Sequence, residues 1–321
     1  MIAKEVFLSV IICTFRRLIE LECNFNSLIV SNGPNFAWEL IVVENDDAPN
    51  PALGDLVYKY SLKLPLKLVF QKGANLSKAR NLGARSARGE YIAYIDDDAE
   101  VDKSWLKNVI EGCKEYSPDF MGGPAFPLYK TKKPGWFKDS YATSIYLGEK
   151  PRVLNSREYL SGMNLIIRRE LILSLGGFRE ELGMSGGNIW WGEETDLQKR
   201  ARNFTSGIKI QYNPAVCVFH LVRPEKMTLR WQLRASYTKA ASALMGENFQ
   251  MTRLEGARKL FCNCMNLAIN IPGLLLYILV DLFRKPHDAF KSYIKERILN
   301  YVARICVLFK YIATKKLTRN T

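Results

Sequence analysis

The chain has 321 residues, of which 48% are hydrophobic and 24% are charged. This composition supports one large domain plus an appendage with a packed core, and it excludes a disordered chain. The formal net charge of +14 suits a phosphate-rich substrate, an anionic lipid surface or a nucleic acid, without choosing among them.

The first half of the chain alternates buried strands with helices. Continuous apolar runs predict strands over residues 6–13, 38–43, 66–70 and 91–95, and helical spacing of apolar residues predicts helices between them. This alternation predicts an α/β domain with a mostly parallel sheet flanked by helices. Further along, we expect a strand over residues 163–167 and one late strand over residues 208–219 that ends at His220.

Polar side chains follow the ends of three predicted strands. They occupy residues 14–17, 44–47 and 96–98. In such sheets ligands bind beyond the carboxyl ends of the strands, so these groups are expected to converge on one edge.

The acidic run in this group is Asp96, Asp97 and Asp98. Three adjacent carboxylates repel one another unless a cation or hydrogen bonds neutralise them, and Mg²⁺ or Mn²⁺ carrying a phosphate is a suitable partner. A solvated acidic turn is the alternative.

The other candidate residues each have a structural alternative. Thr14, Arg17 and Glu44 could hold a nucleoside, although Glu44 could also be an acid at a helix start. Arg80 could lie near a diphosphate or form an ion pair with the acidic run. His220 could be a ligand or a satisfied structural residue.

A second acidic pair, Glu193 and Glu194, opens a predicted helix. These carboxylates could complement the helix dipole, or one of them could act as a general base on an acceptor hydroxyl. Two tryptophans, Trp190 and Trp191, precede them and could form a wall for a sugar, with Asn164 also shaping that site.

The chain beyond residue 230 is predicted to be helical and basic. Residues 260–280 carry no charge, although three asparagines and a Pro-Gly pair weaken their interpretation as a membrane span. Residues 292–316 have the pattern of an amphipathic basic helix of the interfacial type. We therefore expect contact with a membrane surface through residues 260–316.

The seven cysteines are odd in number and include no CxxC pair. Neither a disulfide framework nor a zinc site is supported, so a reducing cytosolic compartment is expected. The first apolar run is short and continues directly into polar residues, so we expect no signal peptide.

Together, seven segments resemble the GT-A fold glycosyltransferases of family 2. In order along the chain they are residues 10–17 (VIICTFRR), 41–45 (IVVEN), 79–83 (ARNLG), 89–98 (GEYIAYIDDD), 161–164 (SGMN) with Arg168 and Arg169, 176–178 (GGF) and 191–197 (WGEETDL). The resemblance covers about residues 5–230. It implies a GT-A, Rossmann-like domain over residues 1–230. Residues 231–321 lie outside the resemblance, and their own pattern predicts a helical membrane-associating extension.

The resemblance also implies an activity and its residues. It implies an inverting transferase that uses a nucleotide-diphosphate sugar and a divalent metal, Mn²⁺ or Mg²⁺. Asp98, Asp96 and His220 match metal-contacting positions, and Glu194 matches the catalytic base with Glu193 in second place. The positions that match nucleotide contacts are Thr14, Arg17, Glu44, Arg80, Asp96 and Asp97, and Trp191 is assigned to the donor site. Glu44 and Glu194 stand where the family often has Asp, and Arg16 where it often has Asn.

The acceptor is expected to be a saccharide, lipid-linked or part of a surface polysaccharide, at the inner, cytoplasmic face of a membrane. Two other functions were weighed against this one. A sugar-phosphate nucleotidyltransferase would normally carry a Gly-rich loop after the first strand, where this chain has residues 14–17 (TFRR). A non-catalytic basic module would bind membrane or nucleic acid, but carboxylates at strand ends repel phosphate backbones, so no nucleic acid is expected.

Overall fold

A computed structural model describes residues 6–31, 37–184, 192–246, 252–282 and 288–314. The chain divides into two compact units. The first takes its described residues from Met1–Leu128, Thr143–Gly187 and Glu193–Leu221, and the second from Tyr129–Ala142, Asn188–Gly192 and Val222–Thr321.

The first unit is built on a large mixed sheet. The strands of the unit are β1 (Leu8–Thr14), β2 (Trp38–Asp46), β3 (Leu66–Lys72), β4 (Tyr91–Asp96), β5 (Ala99–Val101), β6 (Phe120–Gly122), β7 (Ala125–Leu128), β8 (Arg152–Val153), β9 (Asn164–Arg168), β10 (Ile210–Tyr212) and β11 (Val218–Leu221). Eight of them form one sheet in the order β3-β2-β1-β4-β9-β6-β10-β8. The first four in that order are parallel to one another, while β9 is antiparallel to β4 and β6.

Helices cover this sheet, which confirms the predicted α/β class. They are α1 (Leu18–Val30), α2 (Pro51–Ser61), α3 (Leu76–Ser86), α4 (Trp105–Tyr116), α5 (Arg169–Ser174) and α6 (Glu193–Phe204). A 3-10 turn at Asp139–Tyr141 belongs to the second unit. Helix α3 packs closely on the sheet because Gly83 has no side chain. A Cβ there would lie 2.6 Å from Cγ2 of Ile11 on β1. Strands β1 and β2 are almost fully buried, as their continuous apolar runs predict.

The single late strand predicted over residues 208–219 is wrong. The segment forms two strands, β10 in the large sheet and β11 in a three-stranded sheet of order β5-β11-β7. Between them Asn213 closes a turn, in which its carbonyl accepts from Val216 N at 3.1 Å and its side chain accepts from Ala215 N at 3.1 Å. Pro214 lies inside this turn and has no N–H to offer a ladder, so the strand cannot continue through it.

The second unit is mainly helical. It contains a 3-10 turn (Pro224–Met227), α7 (Leu229–Gly246), α8 (Arg253–Leu282), α9 (Asp288–Tyr293), a π-helical turn (Ile294–Ile298) and α10 (Leu299–Thr314). Helix α10 packs against α7 and α8, and its buried side chains include Leu299, Ala303 and Val307 at one-turn spacing. The chain predicted as an amphipathic helix over residues 292–316 is helical as far as Thr314. Of the apolar residues that define the predicted pattern, Leu308 is buried, Phe309 is 66% exposed and the others are partly buried.

Helix α8 presents its apolar side chains outward. Its segment Leu254–Val280 has a mean hydropathy of 1.6 over its best window and is long and apolar enough to cross a membrane. None of that window is buried within the structure.

Candidate active site

The acidic run forms the turn between β4 and β5, at the carboxyl edge of the parallel strands. Asp97 and Asp98 are 4% and 5% exposed. Arg17, which precedes α1, donates from Nη1 to Asp97 Oδ1 at 2.8 Å and to Asp98 Oδ2 at 3.1 Å. Thr14 at the end of β1 donates to Asp97 Oδ2 at 2.9 Å. The residues expected to converge at this edge therefore do so.

Burial raises the pKa of Asp97 to about 6, although Arg17 and the hydroxyl of Thr14 oppose that rise. The alternative of a solvated acidic turn does not fit, because two of the three carboxylates are buried and accept hydrogen bonds from Thr14 or Arg17. The turn is a charged site enclosed by protein.

Three side chains at this turn form a candidate metal set. One ligand atom from each of Asp96, Asp98 and His220 lies within 4.8 Å of the other two. His220 Nε2 is 3.1 Å from Asp98 Oδ1. The pairing of His220 with Ala99 in the β11–β5 ladder, together with a bond from Leu221 N to Asp98 O at 2.9 Å, brings the histidine to the turn. Two carboxylates and an imidazole fit Mn²⁺ or Mg²⁺, which prefer oxygen with some nitrogen donors.

Arg80 of α3 joins the acidic turn to helix α6. This side chain is 4% exposed, and Nη1 donates to Glu193 Oε1 at 2.8 Å while Nη2 lies 3.3 Å from Asp96 Oδ1. Burial alone would lower the pKa of Arg80, but Glu193 and Asp96 raise it above its usual range. The geometry includes an ion pair between Arg80 and the acidic turn, which is one of the two roles considered for this residue. The position of Arg80 beside the turn is also compatible with the other role, near a diphosphate.

Glu194 follows Glu193 in the first turn of α6 and is partly buried. Burial and the neighbouring Glu193 carboxylate raise the pKa of Glu194 to about 8, against the opposing effect of Arg80. Gln198, one turn later, donates to the Glu194 carbonyl at 3.0 Å and to Leu160 O at 2.9 Å, which anchors this turn of the helix.

Glu44 lies two residues before the end of β2, directly beside Thr14 in the β1–β2 register. It is 4% exposed, and its Oε1 accepts from Asn50 N at 2.6 Å, just before α2. Glu44 thus meets the helix-start interpretation, and its place beside Thr14 also puts it at the carboxyl edge.

Two other predictions have different outcomes. Asn164 is 1% exposed, accepts from Trp105 Nε1 at 3.1 Å and donates to Val216 O at 2.8 Å. Its amide is therefore occupied in the core, which corrects the expectation that it shapes the sugar site. Trp190 and Trp191 lie outside the described residues.

The sequence analysis placed residues 14–17 and 44–47 at this edge without pairing Arg16 with Asp46, and it missed Asn24. Arg16 forms a bidentate pair with Asp46 at 2.7 and 2.8 Å, and the backbone of Arg16 is left-handed with φ of 57°. Asn24, in the middle of α1, is completely buried and donates to backbone carbonyls of the acidic turn. The available signal was its position: an amide interrupting the apolar stripe of Leu21, Phe25 and Leu28.

Comparisons with known proteins agree with the fold and identify the family. The family model "Glycosyl transferase family 2" matches residues 9–176. The succinoglycan biosynthesis protein ExoM of Rhizobium meliloti is 26% identical over 267 residues, covering 78% of this chain and 81% of that protein. The glucosyl-dolichyl phosphate glucuronosyltransferase of Haloferax volcanii is 25% identical over 171 residues, covering 52% of this chain and about half (54%) of that relative.

Among solved structures, a mannosyltransferase from Pyrobaculum calidifontis in complex with GDP-Man and Mn²⁺ is similar, with a TM-score of 0.59 and 17% identity. The match covers 98% of this chain and 89% of that one. At that identity the likeness shows a shared fold.

Proposed function

This chain belongs to glycosyl transferase family 2 and is a nucleotide-sugar glycosyltransferase, and from that premise we propose how it works. It transfers the sugar, with inversion, from a nucleoside diphosphate to a hydroxyl of a saccharide acceptor. The observation that carries the proposal is the buried acidic turn, because Thr14, Arg17 and His220 all meet Asp97 or Asp98 there. Family membership sets aside the nucleotidyltransferase and the non-catalytic module.

The donor side is assigned to the strand edge. Asp98, Asp96 and His220 would hold the divalent cation, and Thr14, Arg17, Glu44 and Asp97 would contact the nucleotide. When bound, the cation supplies Lewis-acid stabilisation of the charge on the departing diphosphate. Arg17 bridges Asp97 and Asp98 across the turn, which holds its guanidinium beside the carboxylates assigned to the donor site.

The acceptor side is assigned to the start of α6. Glu193 is bonded to buried Arg80, so we assign it the role of holding Arg80 and assign the general base to Glu194. As the acceptor oxygen bonds to the anomeric carbon, its proton passes to Glu194 and the bond from that carbon to the diphosphate breaks. A carboxylate with a raised pKa accepts a proton more readily than an ordinary one.

The acceptor is proposed to be lipid-linked and used at the inner face of a membrane. Helix α8 supports this, because exposed apolar side chains such as Phe261, Ile269 and Leu276 cover it on the outside. Two of the asparagines that weakened the interpretation of residues 260–280 as a membrane span are hydrogen-bonded within the helix. Asn263 donates to Lys259 O and Asn270 donates to Asn266 O, each at 2.7 Å. These bonds within the helix lower the cost of placing the amides in a lipid environment.

The test is the release of nucleoside diphosphate from a panel of nucleotide sugars, with Mn²⁺ and with EDTA, for the wild type and for Asp98→Asn. We expect slow release from one donor, lost in EDTA and in Asp98→Asn. Asp55→Asn, which removes an exposed carboxylate on α2, is the matched control and should behave as wild type. Release that is equal in EDTA, or equal in Asp98→Asn, would overturn the assigned metal site.

A further inference from the structure

Helix α1 has an amide side chain, that of Asn24, on the face where its other buried residues are apolar. Leu21, Phe25 and Leu28 form its buried stripe, and Asn24 on the same stripe has no exposed surface. An amide in such a place costs free energy unless its polar atoms are hydrogen-bonded. The contacts of Asn24 therefore show what the amide is there to do.

Both contacts go to the acidic turn. Asn24 Nδ2 donates to Ala99 O at 2.6 Å and to Asp96 O at 3.3 Å. These carbonyls belong to the two ends of the four-residue turn that carries Asp97 and Asp98. One planar amide thus spans the turn and fixes the distance between its ends.

The acceptor atom of the same amide is unsatisfied. Among the described residues, Asn24 Oδ1 is buried without a hydrogen-bond partner. An unmade hydrogen bond of this kind costs free energy, so an apolar residue would be the better choice for packing alone. The free-energy cost is explained if the two donated bonds serve the turn rather than the core.

Two serines extend the contact along α1. Val101 N donates to Ser27 Oγ and Leu106 N to Ser31 Oγ, both at 3.0 Å. They hold the chain that follows the turn, but neither touches the turn itself. Ser31, which directly follows α1, therefore offers a comparison for Asn24: it also bonds the backbone of the next segment, but as an acceptor and farther from the carboxylates.

We propose that Asn24 is a positioning residue that sets the separation of the Asp96 and Asp98 carboxylates for a divalent cation. Asn24 holds the turn from the side of α1, while β11 holds Asp98 from the other side through Leu221 N. Asn24 has no part in contacting the cation. The inference rests on the proposed metal site, and changes to groups that orient metal ligands typically cost 10–100-fold in metal affinity.

The test compares Asn24→Leu, which keeps the branched shape with somewhat more bulk and removes the donor, with Ser31→Ala. Mn²⁺ alone is titrated into each full-length protein, and free Mn²⁺ is counted by its electron paramagnetic resonance signal. Asn24→Leu should bind Mn²⁺ at least about tenfold more weakly, whereas Ser31→Ala should stay within about twofold of wild type. Asn24→Gln, which returns the amide on a longer arm, should recover part of the loss.

Equal Mn²⁺ affinity in folded Asn24→Leu and wild type would overturn the proposal, as would an equal loss in Ser31→Ala. If Asn24→Leu does not fold, Asn24→Ala replaces it, because alanine adds no bulk beside the turn. Amide hydrogen exchange over residues 96–101, measured without metal, separates this idea from the metal site itself. A wild type that binds no Mn²⁺ contradicts the metal site, while unchanged exchange in Asn24→Leu contradicts the role of Asn24.

Discussion

Glu193 and Glu194 are neighbours in sequence with different surroundings. Glu193 is 5% exposed and paired with the guanidinium of Arg80, whereas burial and Glu193 itself raise the pKa of Glu194. Glu193 is tied to Arg80, and releasing it would leave a buried cation without this partner. The two residues should therefore respond differently to the same Glu→Gln change.

Glu194→Gln should reduce the turnover of transfer by about 10²–10⁴-fold, the usual contribution of a general base. Amide and carboxylate have nearly the same shape, so the affinity for the nucleotide donor should change little. Steady-state rates together with donor titration by fluorescence would measure both. Full turnover in this variant would contradict the assignment of the base.

Glu193→Gln should instead act on stability. Removing one partner of a buried ion pair typically costs about 3–5 kcal/mol, because it leaves the other charge uncompensated. The retained amide oxygen can still accept one bond from Arg80, so the loss should fall at or below the lower end. Urea unfolding of Glu193→Gln beside Glu194→Gln measures it, and an equal effect in the two variants would contradict the division of roles.

The pH dependence of turnover follows from the raised pKa of Glu194. A general base works in its ionised form, so turnover should rise with pH and level off above about 8. This rise of turnover with pH is due to Glu194 only if the residual activity of Glu194→Gln no longer shows it. Turnover that is flat between about pH 6 and 9 in the wild type would contradict the prediction.

The same shift has a consequence for stability with a definite sign. The pKa of Glu194 is raised to about 8 in the folded protein from its ordinary value of 4.5 in the unfolded chain, so between these values only the folded protein keeps the proton. The stabilisation is therefore complete below the unfolded pKa and is lost as pH rises through the folded pKa.

At the scale of elements, patterns with a strict period were predictable and long-range partners were not. The parallel strands follow from continuous apolar runs, and the helices between them follow from helical spacing. The runs end just before Thr14, Glu44 and Asp96. The separation of β10 from β11 depends on which sheet each strand joins, and this is a tertiary choice. The carboxylates of the site were visible in sequence, but the bond from Asn24 to the acidic turn was not, because it joins residues 72 and 75 positions apart.

Helix α8 shows the same limit in the second unit. Sequence predicted membrane contact through residues 260–316 without showing which helices of that range other helices would cover. In the structure α10 buries residues such as Val307, whereas α8 leaves its apolar side chains exposed. Within the predicted range, the proposed lipid contact is therefore assigned to α8.

A double change, Leu276→Glu with Leu279→Glu, should abolish membrane binding. Both side chains are more than half exposed, and each buried leucine contributes about 1.5–3 kcal/mol. Co-sedimentation of the full chain with anionic phospholipid vesicles is the measurement. Leu62→Glu, at a 78% exposed leucine on the other unit, is the control and should bind as wild type. Equal sedimentation of the double variant and wild type would contradict a lipid surface on α8.

At the scale of the molecule, buried charge is concentrated around one edge of the first unit. Asp97, Asp98, Arg80 and Glu193 are each 5% exposed or less, and such groups cost free energy unless partners compensate them. A ligand that supplies the missing compensation binds the folded chain alone, so its binding free energy becomes stability.

Mn²⁺ together with the matching nucleotide sugar should therefore raise the melting temperature of the whole protein. At a ligand concentration about 100 times the Kd, the gain is about 2.7 kcal/mol. Scanning calorimetry of the wild type, of Asp98→Asn and of Asp55→Asn measures it, with EDTA added to each. Asp98 lies at the metal set and Asp55 on the exposed face of α2, so only Asp98→Asn should lose the gain. An equal rise in Asp98→Asn would mean that the ligand binds away from the acidic turn, because a site there cannot keep its full affinity without this carboxylate.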